Sequence, residues 1–208
     1  MKKTIITISR EFGSGGRTVG MLLAEELGIN CYDRALIEKA AELSGMSPDF
    51  IENVEQKASN SFFFNLSQAT YSSISPVLTY EANPNPTDRA FFAQAEVIRE
   101  IAGHGSAVIV GRCADYVLRE NPDAMHVFLH GDREDRLRRI INEYGIPEQE
   151  AREQIKLIDR GRANYYRSYT GGTWGEVRRY DLCINTTRTG IRGAVAAIKA
   201  LVLENRRD

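Results

Sequence analysis

The chain has 208 residues and a mass of 23.4 kDa, with 42% hydrophobic and 26% charged residues. This composition supports one folded domain over residues 1–208 and excludes a disordered or fibrous protein. The formal net charge of −1 argues against a nucleic-acid partner, because such binding depends on a basic surface that displaces counterions from phosphates. No apolar stretch approaches the roughly 20 residues needed to cross a bilayer, so we predict no membrane partner.

The N-terminus and the cysteines bear on the cellular compartment. Met1-Lys2-Lys3 leads directly into a β-branched run at residues 4–8, without the apolar region of a secretory signal. The three cysteines are an odd number and lie far apart, which fits neither a disulfide framework nor a zinc site. We therefore expect a cytoplasmic protein with reduced thiols.

Hydrophobic periodicity predicts strands and helices that alternate along most of the chain. In chain order these are strand 5–8, a glycine-rich loop, helix 17–27, strand 29–33, helix 34–43, an irregular segment with helical spacing around 49–57, helix 88–102, strand 106–110, a short helix ending at 118, strand 124–129, helices 132–144 and 147–166, a second glycine-rich loop at 168–175, strand 182–185 and helix 191–203. The alternation predicts a three-layer α/β fold, with a parallel sheet flanked by helices. The irregular segment predicts an insertion at residues 45–87.

The loop from Ser9 to Gly16 joins the first strand to the first helix. A glycine-rich loop that opens a helix is an anion site, because the unpaired amides and the helix dipole both favour phosphate. The predicted phosphate cradle consists of Gly13, Ser14, Gly15, Gly16, Arg17 and Thr18. The match to G-x-x-x-x-G-K-[ST] is partial, since Arg17 stands at the lysine position and Glu11 at the first glycine. The Thr18 hydroxyl is the expected protein ligand for Mg²⁺.

Two other interpretations of this loop stay open. Gly13-Ser14-Gly15 could begin a dinucleotide fingerprint, with Asp33 far enough downstream to hold a ribose. Alternatively, the glycines could serve only a tight turn. We favour phosphate transfer, because ten of the 21 arginines lie between Arg133 and Arg179 and would have no role in hydride transfer. Arginine is suited to bidentate contacts with phosphate.

Three motifs resemble the cytidylate kinase-like family of P-loop proteins: residues 9–17, Tyr32-Asp33-Arg34 and Val110-Gly111-Arg112. Asp181-Leu182-Cys183-Ile184-Asn185-Thr186 is similar to the last strand of nucleoside monophosphate kinases. The resemblance implies a P-loop NTPase-type sheet, an inserted acceptor-binding region at 45–87 and an arginine-rich helical lid at 132–175. It also implies ATP and Mg²⁺ as cofactors and a small phosphorylated acceptor, with CMP or dCMP expected. Monomer and homodimer are both open.

The residues expected to bind the acceptor are predicted partly from their position in the fold and partly from the family resemblance. Arg112 follows an apolar strand, where the carboxyl end of a parallel sheet opens into the ligand crevice. Its Gly-Arg pair resembles that of CMP kinases, in which the arginine contacts the monophosphate. The resemblance also assigns Asp33, Arg34 and Lys39 to the acceptor. Asp33 could equally well cap the helix that follows it instead of binding the acceptor. Lys39 could simply face solvent.

The lid supplies further arginines. Arg133, Arg136 and Arg139 are spaced i, i+3 and i+6, so they share one helical face, and we expect one or two of them to reach phosphate. Asp159-Arg160-Gly161-Arg162 resembles the segment that binds the pyrimidine nucleotide in the family, although Ile155 stands where a further arginine is expected. A helix stabilised by surface ion pairs is the simpler alternative for this segment. The predicted catalytic set is Arg17, Arg133, Arg136, Arg139 and Arg162.

The sequence therefore predicts a phosphotransferase that uses ATP, and two alternatives stay open. The arginine at the lysine position of the loop allows a nucleotide-binding protein without catalysis. The insertion matches the family poorly, which allows a kinase for another small acceptor.

Overall fold

The computed structural model describes residues 3–54 and 85–205. Its elements, in chain order, are β1 (Ile5–Arg10), α1 (Gly16–Leu27), β2 (Asn30–Tyr32), α2 (Arg34–Ser44), α3 (Pro48–Glu52), α4 (Pro86–His104), β3 (Ala107–Val110), α5 (Ala114–Val117), β4 (Ala124–His130), α6 (Arg133–Tyr144), α7 (Glu148–Thr170), a 3₁₀ turn (Val177–Arg179), β5 (Leu182–Asn185) and α8 (Thr186–Asn205). No helix among these residues is long and apolar enough to span a bilayer.

The strands form one parallel sheet in the order β2-β3-β1-β4-β5. The central strand β1 pairs with both β3 and β4, and Ile5, Ile6 and Ile8 are fully buried. A parallel sheet needs a crossover between paired strands, and helices on both faces supply these crossovers. The predicted three-layer α/β fold is confirmed.

The core is divided between the two faces of the sheet. On one face, α2 and α4 bury Leu36 and Ile98, and on the other, α1 and α8 bury Leu23 and Ile198. Complete burial of one such side chain stabilises the fold by about 1.5–3 kcal/mol. The packed layers therefore hold the carboxyl ends of the strands as a rigid edge, and the loops at this edge form the site.

Several boundaries differ from the sequence-based prediction. Helix α7 continues to Thr170, beyond the predicted end at 166, because Tyr169 stacks on Phe91 with ring centroids 4.1 Å apart. Helix α8 begins directly after β5, and a non-helical Gly190 interrupts it, which explains why the periodicity predicts a start at 191. Helix α3 covers part of the segment around 49–57. Most of the predicted insertion, residues 55–84, lies outside the described residues.

Candidate active site

The carboxyl ends of β1 and β3 open into a cleft of about 410 Å³. Its walls come from the loop after β1, the starts of α1 and α2, the end of α3, the turn after β3, and helices α6 and α7. The charged residues that line it are Arg10, Arg17, Arg34, Arg112, Arg162, Glu11, Asp33 and Glu52. Five arginines against three carboxylates make the cleft suitable for an anion.

Glycine determines the shape of the loop after β1. Gly13 and Gly15 have φ angles of 76° and 80°, in the left-handed region. A Cβ atom at Gly13 would lie 2.8 Å from the carbonyl oxygen of Arg136, so this loop packs too closely on α6 for a side chain. Ser14 closes the turn, since both its amide and its hydroxyl donate to the carbonyl of Glu11, at 3.2 Å and 2.8 Å.

The loop leaves a row of backbone amides without partners. Among residues 3–54 and 85–205, no group accepts a hydrogen bond from the amides of Gly13, Gly15, Gly16, Arg17 or Thr18. These amides lie at the N-terminus of the 12-residue helix α1, where the helix dipole adds partial positive charge. Such an arrangement fits the phosphates of a nucleotide.

The same cradle fits a nucleotide-bound Mg²⁺ ion. Thr18 is exposed in the first turn of α1, beside the free amides. Across the described ranges, no group of three or more His, Cys, Asp or Glu side chains is arranged to hold a metal. A Mg²⁺ ion at this loop would take the Thr18 hydroxyl and phosphate oxygens as ligands, a combination that this ion commonly uses.

Arg136, a buried residue on α6, holds the loop after β1 in place on the side away from the cleft. Arg136 donates through Nη1 to the carbonyl of Phe12, at 3.1 Å, and to Oδ2 of Asp159, at 2.6 Å. Its Nε atom lies 3.4 Å from Oε2 of Glu11, which also accepts from the amide of Gly131. Oδ1 of Asp159 accepts from the amide of Phe12, at 2.7 Å. Both oxygens of Asp159 are thus engaged in fixing the loop.

The other predicted lid arginines lie at different distances from the cleft. Arg139 donates to the carbonyl of Gly13, at 2.6 Å, and Arg162 to the carbonyl of Arg10, at 3.0 Å. Of these two, Arg162 also lines the cleft. Arg133 and Arg160 are exposed and are not among the lining residues.

Arg17 connects the loop after β1 to the opposite wall of the cleft. Its side chain is 64% exposed, and its Nε atom lies 3.1 Å from Oδ2 of Asp33. Asp33 occupies the position before α2, but its side chain makes no capping hydrogen bond. Arg34 lines the cleft and pairs with Glu38, whereas Lys39 lies outside the cleft, 3.9 Å from Glu100.

The turn after β3 is strained, and it buries Arg112. Gly111, Arg112 and Cys113 have φ angles of 77°, 60° and 53°, and positive φ is uncommon for residues other than glycine. A side chain at Gly111 would collide with the guanidinium of Arg10. Nη1 of Arg112 donates to the carbonyls of Ile51 and Glu52, at 3.1 Å each. Strain of this kind is concentrated at functional sites.

Sequence reasoning missed several residues of the site. Phe12 and Tyr144 form an aromatic wall of the cleft, with ring centroids 6.0 Å apart. Asp115 is buried beneath the Arg112 turn, and its two oxygens accept from Tyr166, at 2.8 Å, and from Ser9, at 3.4 Å. Burial raises the pKa of Asp115 above its ordinary value. One feature of the sequence could have identified Asp115: it is an acidic residue among apolar neighbours, three positions after Arg112.

Comparison with known proteins agrees with this geometry. Residues 5–188 match the model of the cytidylate kinase-like family. A cytidylate kinase of Pyrococcus horikoshii is 26% identical over 201 residues, covering 96% of this chain and 88% of the relative. The crystal structure of an uncharacterized protein from Eubacterium ventriosum has a TM-score of 0.70 and 27% identity, with 96% and 98% of the two chains covered. A shikimate kinase from Bacteroides thetaiotaomicron, with a TM-score of 0.52, 17% identity and 96% and 98% coverage, shares the fold.

Proposed function

The chain belongs to the cytidylate kinase-like family, and from this premise we propose that it transfers the γ-phosphoryl group of ATP to a nucleoside monophosphate, with CMP or dCMP as the preferred acceptor. The observation that carries the proposal is the row of unpaired amides at Gly13 and from Gly15 to Thr18. It lies in a cleft that also contains Arg112. One site for a triphosphate and one for a monophosphate are what this reaction requires.

The donor half of the cleft positions the triphosphate. The amides of the loop would donate to the phosphates without reorganisation, because Ser14 and Arg136 already fix the loop. Arg17 replaces the usual lysine and contributes a guanidinium near the transferring group. Mg²⁺, held by Thr18 and the phosphates, would neutralise part of the charge that develops during transfer.

The acceptor half binds the monophosphate. Arg112 is the main contact in this proposal, with Arg34 and Asp33 also lining the cleft. Arg112 also holds the carbonyls of Ile51 and Glu52, which supports an acceptor region at residues 45–87 that includes α3. Lys39 lies outside the cleft and belongs to the acceptor site only if a ligand draws it inward.

The lid of the proposal consists of residues 132–175. Arg136, Arg139 and Asp159 hold the phosphate loop, and Arg162 lies between this loop and the Arg112 turn, where it can contact the transferring group. Phe12 and Tyr144 line the cleft, and in this proposal their rings form one wall against the bound nucleotide. The preference for cytidine is supported by the name of the Pyrococcus relative, whereas Asp159 holds the phosphate loop and Arg160 is not among the residues that line the cleft.

An acceptor panel tests the proposal. Purified protein is mixed with ATP and Mg²⁺, and coupled ADP release is followed with CMP, dCMP, UMP, AMP or GMP and without acceptor. We expect release above the control with CMP or dCMP and less with the others. Release that never exceeds the control, in protein that binds ATP, would contradict phosphoryl transfer to a nucleotide and direct the search to another acceptor.

A further inference from the structure

We propose that Asp115 is a positioning residue: by accepting the hydrogen bond of Tyr166, it fixes the Arg112 turn to helix α7 and so sets the geometry of the acceptor site. The inference rests on the proposed function, since it assigns the Arg112 turn to the acceptor. Asp115 has only 4% of its surface exposed, so it contacts no substrate itself.

Asp115 lies where it can control the Arg112 turn. Helix α5, which contains Asp115, directly follows the three residues with positive φ, and the amide of Ala114 donates to the carbonyl of Gly111 at 3.1 Å. A strained turn persists only when contacts with the surrounding structure hold it in place. The carboxylate provides that constraint from below, through Tyr166 at 2.8 Å and Ser9 at 3.4 Å.

One face of α7 spans the whole cleft. Asp159, Arg162 and Tyr166 are spaced by three and four residues, which places them on the same side of the helix. Asp159 binds the amide of Phe12, Arg162 the carbonyl of Arg10, and Tyr166 the carboxylate of Asp115. The Tyr166–Asp115 bond is therefore the contact through which α7 sets the Arg112 turn relative to the phosphate loop.

Packing alone does not explain a carboxylate at this position. Among the described residues, no arginine or lysine forms an ion pair with Asp115. A buried carboxylate without a cationic partner costs stability, and an apolar side chain would fill the space at lower cost. The carboxylate accepts a hydrogen bond from Tyr166, which an apolar side chain at this position could not do.

Helix α7 offers a matched control. One turn beyond Tyr166, the hydroxyl of Tyr169 donates to Oδ1 of Asp88, at 2.7 Å, a second tyrosine–aspartate bond of the same kind that ties α7 to α4. Tyr166→Phe and Tyr169→Phe each remove one such bond without changing the packing of the ring. The Tyr166 bond is buried and the Tyr169 bond only partly buried, so we expect Tyr166→Phe to lower thermal stability at least as much as Tyr169→Phe.

The kinetic comparison separates positioning from stability. For Tyr166→Phe we expect the acceptor KM to rise about tenfold, as loss of one charge-assisted hydrogen bond allows, while the ATP KM stays within about twofold. For Tyr169→Phe both constants should stay within about twofold of wild type. Asp115→Leu, which removes the acceptor, should behave like Tyr166→Phe, and the double variant should show less than the sum of the two effects because both substitutions remove the same contact. Equal acceptor KM values in Tyr166→Phe and Tyr169→Phe would overturn the inference.

Hydrogen–deuterium exchange gives a readout that does not depend on catalysis. Peptides covering residues 111–118 should exchange faster in Tyr166→Phe than in wild type or Tyr169→Phe. If wild-type protein phosphorylates none of the acceptors, the proposed function fails, and the exchange comparison still decides whether the bond positions the turn. If wild type is active but the two variants match in exchange and in acceptor KM, the function stands and the positioning role is wrong.

Discussion

Replacement of Arg136 by alanine distinguishes an arginine that holds the fold from one that binds phosphate. The sequence assigns Arg136 to catalysis, whereas in the structure its guanidinium contacts the carbonyl of Phe12 and the carboxylates of Asp159 and Glu11. Loss of the guanidinium leaves both carboxylates without this cation and the carbonyl of Phe12 without its donor. We therefore expect Arg136→Ala to destabilise the protein and to loosen the phosphate loop.

The size of the effect follows from the burial of the partners. Removing one member of a buried ion pair costs about 3–5 kcal/mol. The side chains of Glu11 and Asp159 retain 27% and 18% of their exposure, so water partly solvates the orphaned charges. The lower end of the range, about 3 kcal/mol, is the appropriate expectation. For a chain of this length, that corresponds to a fall in Tm of roughly 6–12 °C.

Urea unfolding followed by circular dichroism measures the free energy of unfolding. Arg138→Ala is the matched control, because Arg138 lies on the same helix, is 68% exposed and pairs only with Asp135 among the described residues. The control should change the free energy of unfolding by at most about 0.5 kcal/mol. An Arg136→Ala protein as stable as wild type but unable to bind ATP would refute this reasoning and assign Arg136 to phosphate binding.

Three further predictions address the two halves of the cleft and the buried carboxylate. Arg17→Ala should weaken ATP binding about 10-fold or more, and Arg17→Lys less, measured by calorimetry, because a charged contact to phosphate is lost or only shortened; equal affinities would exclude Arg17 from the cradle. Arg112→Ala should raise the acceptor KM in steady-state kinetics and leave the ATP KM nearly unchanged, and an unchanged acceptor KM would remove Arg112 from the acceptor site. Because burial raises the pKa of Asp115, the native state retains a proton that the unfolded state releases, so wild type should lose stability relative to Asp115→Asn as the pH rises above the ordinary range of aspartate. Urea unfolding between pH 4 and 8 tests this, and parallel curves would contradict it.

Local patterns predicted the fold, and they located the loop whose amides have no partner among the described residues. Alternation of apolar strands and amphipathic helices identifies a parallel α/β sheet, and a glycine-rich loop at the start of a helix identifies the free amides near Gly15. The Gly111-Arg112 pair at the end of an apolar strand identified an arginine that the structure places in the cleft wall. Each of these features depends on a short segment of the chain, so it can be predicted from the sequence of that segment alone.

Local sequence patterns could not predict which groups the arginines of α6 contact. Helical spacing correctly groups Arg136 and Arg139 on one face, yet their partners at Phe12 and Gly13 lie more than 120 positions away in the chain. Nothing local distinguishes an arginine that holds a backbone carbonyl from one that is open to a ligand. The contact between Asp115 and Tyr166 could not be predicted for the same reason, since Tyr166 lies on α7, 51 positions away in the chain.

Direct detection of the phosphorylated product tests the central claim most directly. Wild-type protein, ATP, Mg²⁺ and CMP are followed by ³¹P NMR, in which the joint loss of the CMP monophosphate resonance and the ATP γ-phosphate resonance reports their conversion to the two diphosphates. The account predicts that CDP and ADP appear in equal amounts while ATP and CMP disappear together. ADP that accumulates with inorganic phosphate and without CDP, or an unchanged spectrum with ATP bound, would contradict phosphoryl transfer to CMP.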